Sequence, residues 1–176
     1  NKLITINESH KKLGVSLGIS ENNISIIPCH VDVLDKYHRE FEEPKDLGNF
    51  SELKVLFPAD PNRKEKDFPL FESVVNELEN RSIKVEIQTL GGIDRESVWK
   101  LMNWADVAIL TSSREGSPQV VKEAMKCGCP IILSNGGSLK EVGGEDLEYF
   151  DPKNIDKMKD QIEKILISES LQKKTI

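Results

Sequence analysis

Glu115 and Glu123 flank a Gly-Ser-Pro turn in the stretch SSREGSPQVVKEAMKCGCP, residues 112 to 130. A carboxylate accepts hydrogen bonds from paired hydroxyls, so acids of this kind can grip a hexose or a ribose ring. Between them the chain turns into a helix. Ser117 is a good N-cap, and Pro118 suits the first helical position, where its missing N–H would have gone unpaired anyway. Such a terminus presents the N–H groups of Gln119, Val120 and Val121 and the positive end of the helix dipole, which together favour a diphosphate. Gly116 lets a ligand approach the backbone closely. Glu123 lies about 9 Å along the axis from Ser117, at about 1.5 Å per residue, so the two acids fall on either side of the anion site. Taken singly, each has a plainer explanation. Glu123 falls outside the apolar stripe of Val120, Val121, Ala124 and Met125, as a solvated side chain does, and Glu115 is also a favourable charge for the dipole.

The elements that must position these residues alternate in type. Strand-like apolar runs cover Leu3 to Ile6, Ile24 to Ile27, Leu53 to Phe57, Val85 to Leu90, Val107 to Thr111 and Pro130 to Ser134. Helical patterns cover Ser9 to Leu17, Pro69 to Arg81, Arg95 to Ala105, Pro118 to Cys127 and Ile155 to Ile167. Strand and helix in alternation predict an α/β fold, a Rossmann-like parallel sheet with helices on both faces. Phe71, Val74, Val75 and Leu78 recur at helical spacing and predict a helix that covers this sheet. Tyr37 to Ser51, acidic and punctuated by Pro and Gly, reads as a connecting loop.

Size and charge narrow the function. A chain of 176 residues accommodates one such domain and no second full one. The division expected is a segment 1–23 carried over from a preceding domain and a main domain at 24–176. With 30 acidic against 24 basic residues the formal net charge is −6, which disfavours a nucleic-acid partner. Any bound anion must then be held by a local device. The three cysteines, Cys29, Cys127 and Cys129, fit neither a zinc knuckle nor a thioredoxin-type pair. They predict apolar packing in a reduced, cytoplasmic chain, with no metal site.

The segment EGSPQVVKEAMKCGCPII, preceded by ADVAILTSS, resembles the donor-site motif of family-four (group 1) retaining glycosyltransferases of GT-B architecture. IIPCHVD, LKVLFPADPNRKEKDFPLFESV and SNGGSLKEVGG resemble flanking parts of the same family's C-terminal domain, so the likeness spans most of the chain. The resemblance implies that Glu115 contacts the donor hexose and Glu123 the ribose hydroxyls, with Gly116, Ser117 and Pro118 lining sugar and phosphate. It also implies that Arg63 and Lys64 lie near the diphosphate, and that Leu90 and Gly91 begin the loop that takes the base. Many members carry Gly and Arg where this chain has Ala59 and Asp60, so the usual Arg is either absent or replaced by Arg63. His30 stands where a Gly is common.

The reaction implied moves a hexose from a UDP- or GDP-sugar to an acceptor hydroxyl with retention. No cofactor or metal is expected, and helix N–H groups and basic side chains would stabilise the departing diphosphate. An acceptor domain would precede this chain, and any membrane association would come through that part, at the inner face. Two other readings stand beside this one: a GT-B sugar-nucleotide epimerase, and a non-catalytic α/β binding module of the receiver type. The second calls for acids at strand ends, whereas Asp106 precedes its strand.

Overall fold

A computed structural model describes residues 2–38, 52–80, 82–136, 139–145 and 147–151. β1 (Leu3–Thr5) and β2 (Ile24–Ile26) pair in parallel and are joined by α1 (Glu8–Ser16). This unit straddles the boundary expected between residues 23 and 24. The main sheet contains β3 (Glu52–Phe57), β4 (Lys84–Thr89), β5 (Val107–Leu110), β6 (Ile131–Ser134) and β7 (Glu148–Phe150), in the order β4-β3-β5-β6-β7 and parallel throughout. Its crossovers are α2 (Phe68–Asn80), α3 (Arg95–Trp104), α4 (Gln119–Cys127) and α5 (Leu139–Gly143). The doubly wound α/β architecture read from the sequence is the one observed.

The central strands β3, β5 and β6 alternate their side chains between two faces, and helices cover both, whereas the edge strand β4 is largely exposed. On β3, Leu53, Val55 and Phe57 face α2, where they meet Phe71, Val74, Val75 and Leu78, the four residues expected on that helix face. Leu56 points the other way, into a second cluster with Trp99 and Met102 of α3, Val121 and Ala124 of α4 and Leu139 of α5. Phe57 and Phe71 are fully buried with ring centroids 5.0 Å apart, each contributing on the order of 1.5 to 3 kcal/mol through burial.

Expected and observed elements differ by no more than one residue at either end, with two informative exceptions. Ser117 does not cap α4. Pro118 holds the cap position at φ −67°, ψ 101°, and the helix begins at Gln119. A residue before proline is pushed out of the helical region, and Pro118 itself stays extended, so the first turn has no side-chain cap. β7, Glu148–Phe150, was not expected, since three residues are too few to show a period. The helix expected at Ile155 to Ile167 and most of the loop at Tyr37 to Ser51 lie outside the described residues.

The strand order matters for the site. From β3 the chain crosses to β4 on one side and then returns to β5 on the other. The loops leaving the C-terminal ends of β3 and β5 therefore part at a topological switch point, where open α/β sheets place their ligands.

Candidate functional site

The two loops at the switch point are stitched together by hydroxyls that end β5. Thr111, fully buried, directs its Oγ1 to the carbonyl oxygens of Lys66 and Asp67 at 2.8 and 2.9 Å. Ser113 donates its N–H (3.0 Å) and its hydroxyl (3.3 Å) to the Glu65 carbonyl. After the short helical turn Lys64–Lys66, Asp67 takes the left-handed conformation at φ 52°, which turns the chain into α2. These bonds fix Lys66 beside Glu115. The two form an ion pair with side chains 9% and 8% exposed.

From below, β6 closes on the same loop. Ser134 donates its hydroxyl to the Ser112 carbonyl. Gly136 approaches so closely that a Cβ there would stand 2.9 Å from both the Ser112 and Ser113 carbonyl oxygens. No side chain fits at that position without moving the loop that carries Glu115.

Past the loop, α4 starts with uncapped N–H groups, as every helix end lacking a side-chain partner does. One turn on, Glu123 is buried, 6% exposed, and accepts from Arg95 of α3 at 2.9 Å. Helical spacing by itself puts this side chain outside the apolar stripe of α4. Packing of α3 against α4 buries it instead. Arg95 also lines a cavity of about 420 Å³ together with His30, Asp32, Trp99 and Gln119. Trp99 Nε1 and Gln119 Oε1, a donor and an acceptor, are buried and without a partner among the described residues. Unmatched groups of this kind are costly in a folded chain and point to a polar ligand or ordered water in the cavity.

The other expected residues are distributed as follows. Gly116 offers its carbonyl to Asn7 Nδ2 at 2.6 Å, and Ser117 Oγ accepts from Lys122 Nζ at 3.3 Å. Pro118 is buried, and Val120 packs partly buried against the α3–α4 core. Leu90 donates its N–H to the Ala59 carbonyl at 3.1 Å, and a Cβ on Gly91 would lie 3.3 Å from Asp60 Oδ1. The exits of β3 and β4 are thus in contact at the ligand end of the sheet.

Arg63 and Lys64, expected near the diphosphate, stand on the solvent side of their loop. Arg63 bonds Glu65 through Nε at 2.8 Å, and Lys64 is exposed. The hydrogen bond from its own backbone N–H and the bonds from Arg63 hold the Glu65 carboxyl below its ordinary range. Lys66, between Lys64 and α2, reaches Glu115. Sequence reasoning missed it, along with Arg95 and Asn7. A Lys-Glu-Lys turn ahead of an apolar helix gave a signal for a basic loop but not for which lysine points inward.

Comparison with known proteins agrees with this fold. Residues 68–176, more than half of the chain, match the family model described as glycosyl transferases group 1. The MMP alpha-(1->4)-mannosyltransferase of Mycolicibacterium hassiacum is 31% identical over 110 residues, which are 61% of this chain and 25% of that protein. Among solved structures, a glycosyltransferase from Rickettsia africae superposes with a TM-score of 0.72 at 16% identity, over 99% of this chain and 56% of that one. S. aureus TarM in complex with fondaparinux, alpha-GlcNAc-glycerol and UDP gives 0.69 at 15% identity, over 99% of this chain and 38% of that one. The chain spans only a quarter of the length of the first relative and about half or less of these structures. The likenesses to solved structures concern the fold, and the family model carries the membership: this chain belongs to the group 1 glycosyl transferases.

Proposed function

We propose that this chain supplies the donor-binding half of a family-four retaining glycosyltransferase, which moves a hexose from a nucleoside diphosphate sugar to an acceptor hydroxyl. One observation carries the reading. Lys66, Glu115 and the open end of α4 converge at the switch point of the sheet, while Glu123 is buried on the same helix. Lys66 and the α4 N–H groups would meet the charge that develops on the departing diphosphate. Glu115 would take the hydroxyls of the hexose and Glu123 those of the ribose.

Both acids are engaged by cations, Glu115 by Lys66 and Glu123 by Arg95. Donor binding would exchange these partners: Lys66 turns to phosphate, and each carboxylate turns to a pair of hydroxyls. The cavity beside Arg95 and Gln119 is where the base would fit, next to the ribose end. UDP, as named for the TarM complex, and GDP are the nucleotides to try first. The acceptor, a preceding acceptor domain and a cytoplasmic setting belong to the same proposal.

Calorimetric titration of the chain with UDP-, GDP- and ADP-sugars, with Glu123→Ala alongside, tests the reading. Loss of a charge-assisted pair of hydrogen bonds should weaken binding by about 1.5 to 3 kcal/mol. Equal affinity of the variant would return Glu123 to a purely structural role. In the full-length protein, acceptor-dependent transfer against isomerisation of the free nucleotide sugar separates a transferase from an epimerase.

A further inference from the structure

Asn7 lies 109 residues from Gly116 in sequence, yet its side-chain amide donates to the Gly116 carbonyl at 2.6 Å. Asn7 is 2% exposed. Its other amide atom, Oδ1, accepts from the His10 N–H at 2.7 Å and caps α1. One amide therefore does two separable jobs, with its oxygen serving α1 and its nitrogen serving the loop between Glu115 and α4. The surroundings support a fitted contact. A Cβ on Gly116 would meet Ile6 at 3.5 Å and His10 at 3.9 Å, and the Glu8 N–H donates to the Glu141 carboxylate of α5 at 3.1 and 3.2 Å.

The contact has a directional consequence. No cis peptide bond occurs among the described residues, so the 116–117 peptide is a trans plane with its C=O and N–H on opposite sides. Holding the carbonyl on Asn7 aims the Ser117 N–H away from the β1–α1 turn. That N–H finds no partner among the described residues. A flip of this peptide would put a carbonyl oxygen where an anion has to approach.

We infer that Asn7 is a positioning residue for the anion site: by pinning the Gly116 carbonyl it presets the Ser117 N–H for the donor diphosphate. The inference rests on the donor-site reading given above. It ties donor affinity to the seating of the β1–α1 unit on the α4 loop, a link that runs through one hydrogen bond.

Asn7→Asp separates the two jobs. Aspartate retains the capping oxygen for His10 but removes the donor and sets a carboxylate against the Gly116 carbonyl. The 176-residue chain and the variant are titrated calorimetrically with UDP, GDP and ADP, and their thermal unfolding is compared. The expected result is a variant that still unfolds in one transition, at a lowered temperature because a carboxylate replaces a buried amide, and that binds whichever diphosphate the parent chain binds about tenfold more weakly, with a shifted Ser117 amide resonance. Should Asn7→Asp fail to fold, Asn7→Ser, a neutral capping residue too short to reach Gly116, takes its place, with a smaller loss of stability and the same loss of binding. Parent-like affinity in a folded variant overturns the role of Asn7 and leaves the donor site standing. A folded parent chain that binds none of the three nucleotides overturns the donor site itself, and this inference with it.

Discussion

Lys66 and Glu115, 49 residues apart on the loops leaving β3 and β5, form an ion pair that is almost wholly buried. Two charges withdrawn from water are held there by geometry, and either one left alone would be unfavourable. Lys66→Met should therefore lower stability by about 3 kcal/mol, because it removes the buried cation that the Glu115 carboxylate pairs with. Adding Glu115→Gln should recover most of that loss. Urea unfolding of the two single variants and the double variant measures this, and simple additivity of the single losses would show that the pair is not coupled.

Gln119 presents the opposite case, a buried acceptor without a partner among the described residues. Gln119→Leu removes that group while keeping similar bulk, so stability should stay within about 1 kcal/mol of the parent or rise. If the acceptor serves the base, the same variant should bind nucleoside diphosphates less tightly. A large loss of stability with unaltered binding would assign the amide to a structural network instead.

Gly136 is required by close approach. Any Cβ there would press on two backbone carbonyls of the β5 exit, at 2.9 Å each. Gly136→Ala should cost about 1 to 3 kcal/mol and weaken nucleotide binding by displacing the loop between Thr111 and Glu115. Thermal unfolding and titration on one sample decide it, and a neutral substitution would mean that the loop yields freely.

The pH dependence of α3, which carries Arg95, follows from its cap. The Asp94 carboxyl lies below its ordinary range because the Ser97 hydroxyl and then the Ser97 N–H bond its charged form. A depressed carboxyl stabilises the fold fully above about pH 4, and that contribution is lost as the pH falls through the folded value. Asn caps a helix too but does not titrate. The stability gap between the parent and Asp94→Asn should hold steady from pH 7 to about 5 and close below about 4. Curves that remain parallel down to pH 3 would remove Asp94 from the acid response.

Local order along the chain settled a good deal. The alternation of apolar runs specified a doubly wound sheet, because strand and helix periods are properties of neighbouring residues. Phe71, Val74, Val75 and Leu78 announced the buried face of α2 for the same reason, and Gly116 and Pro118 marked a helix mouth to within one residue, although the cap expected at Ser117 does not form. What the tertiary structure decided was which side chains meet there. Thr111 chose Lys66 over Arg63 and Lys64 by hydrogen-bonding a carbonyl 45 residues away. α3 converted Glu123 from an apparent surface acid into a buried one, and Asn7 reached Gly116 across the whole domain. Such pairings depend on strand order and loop closure, which no short window of sequence contains, so the chemistry was legible as residue types while its assembly awaited the fold.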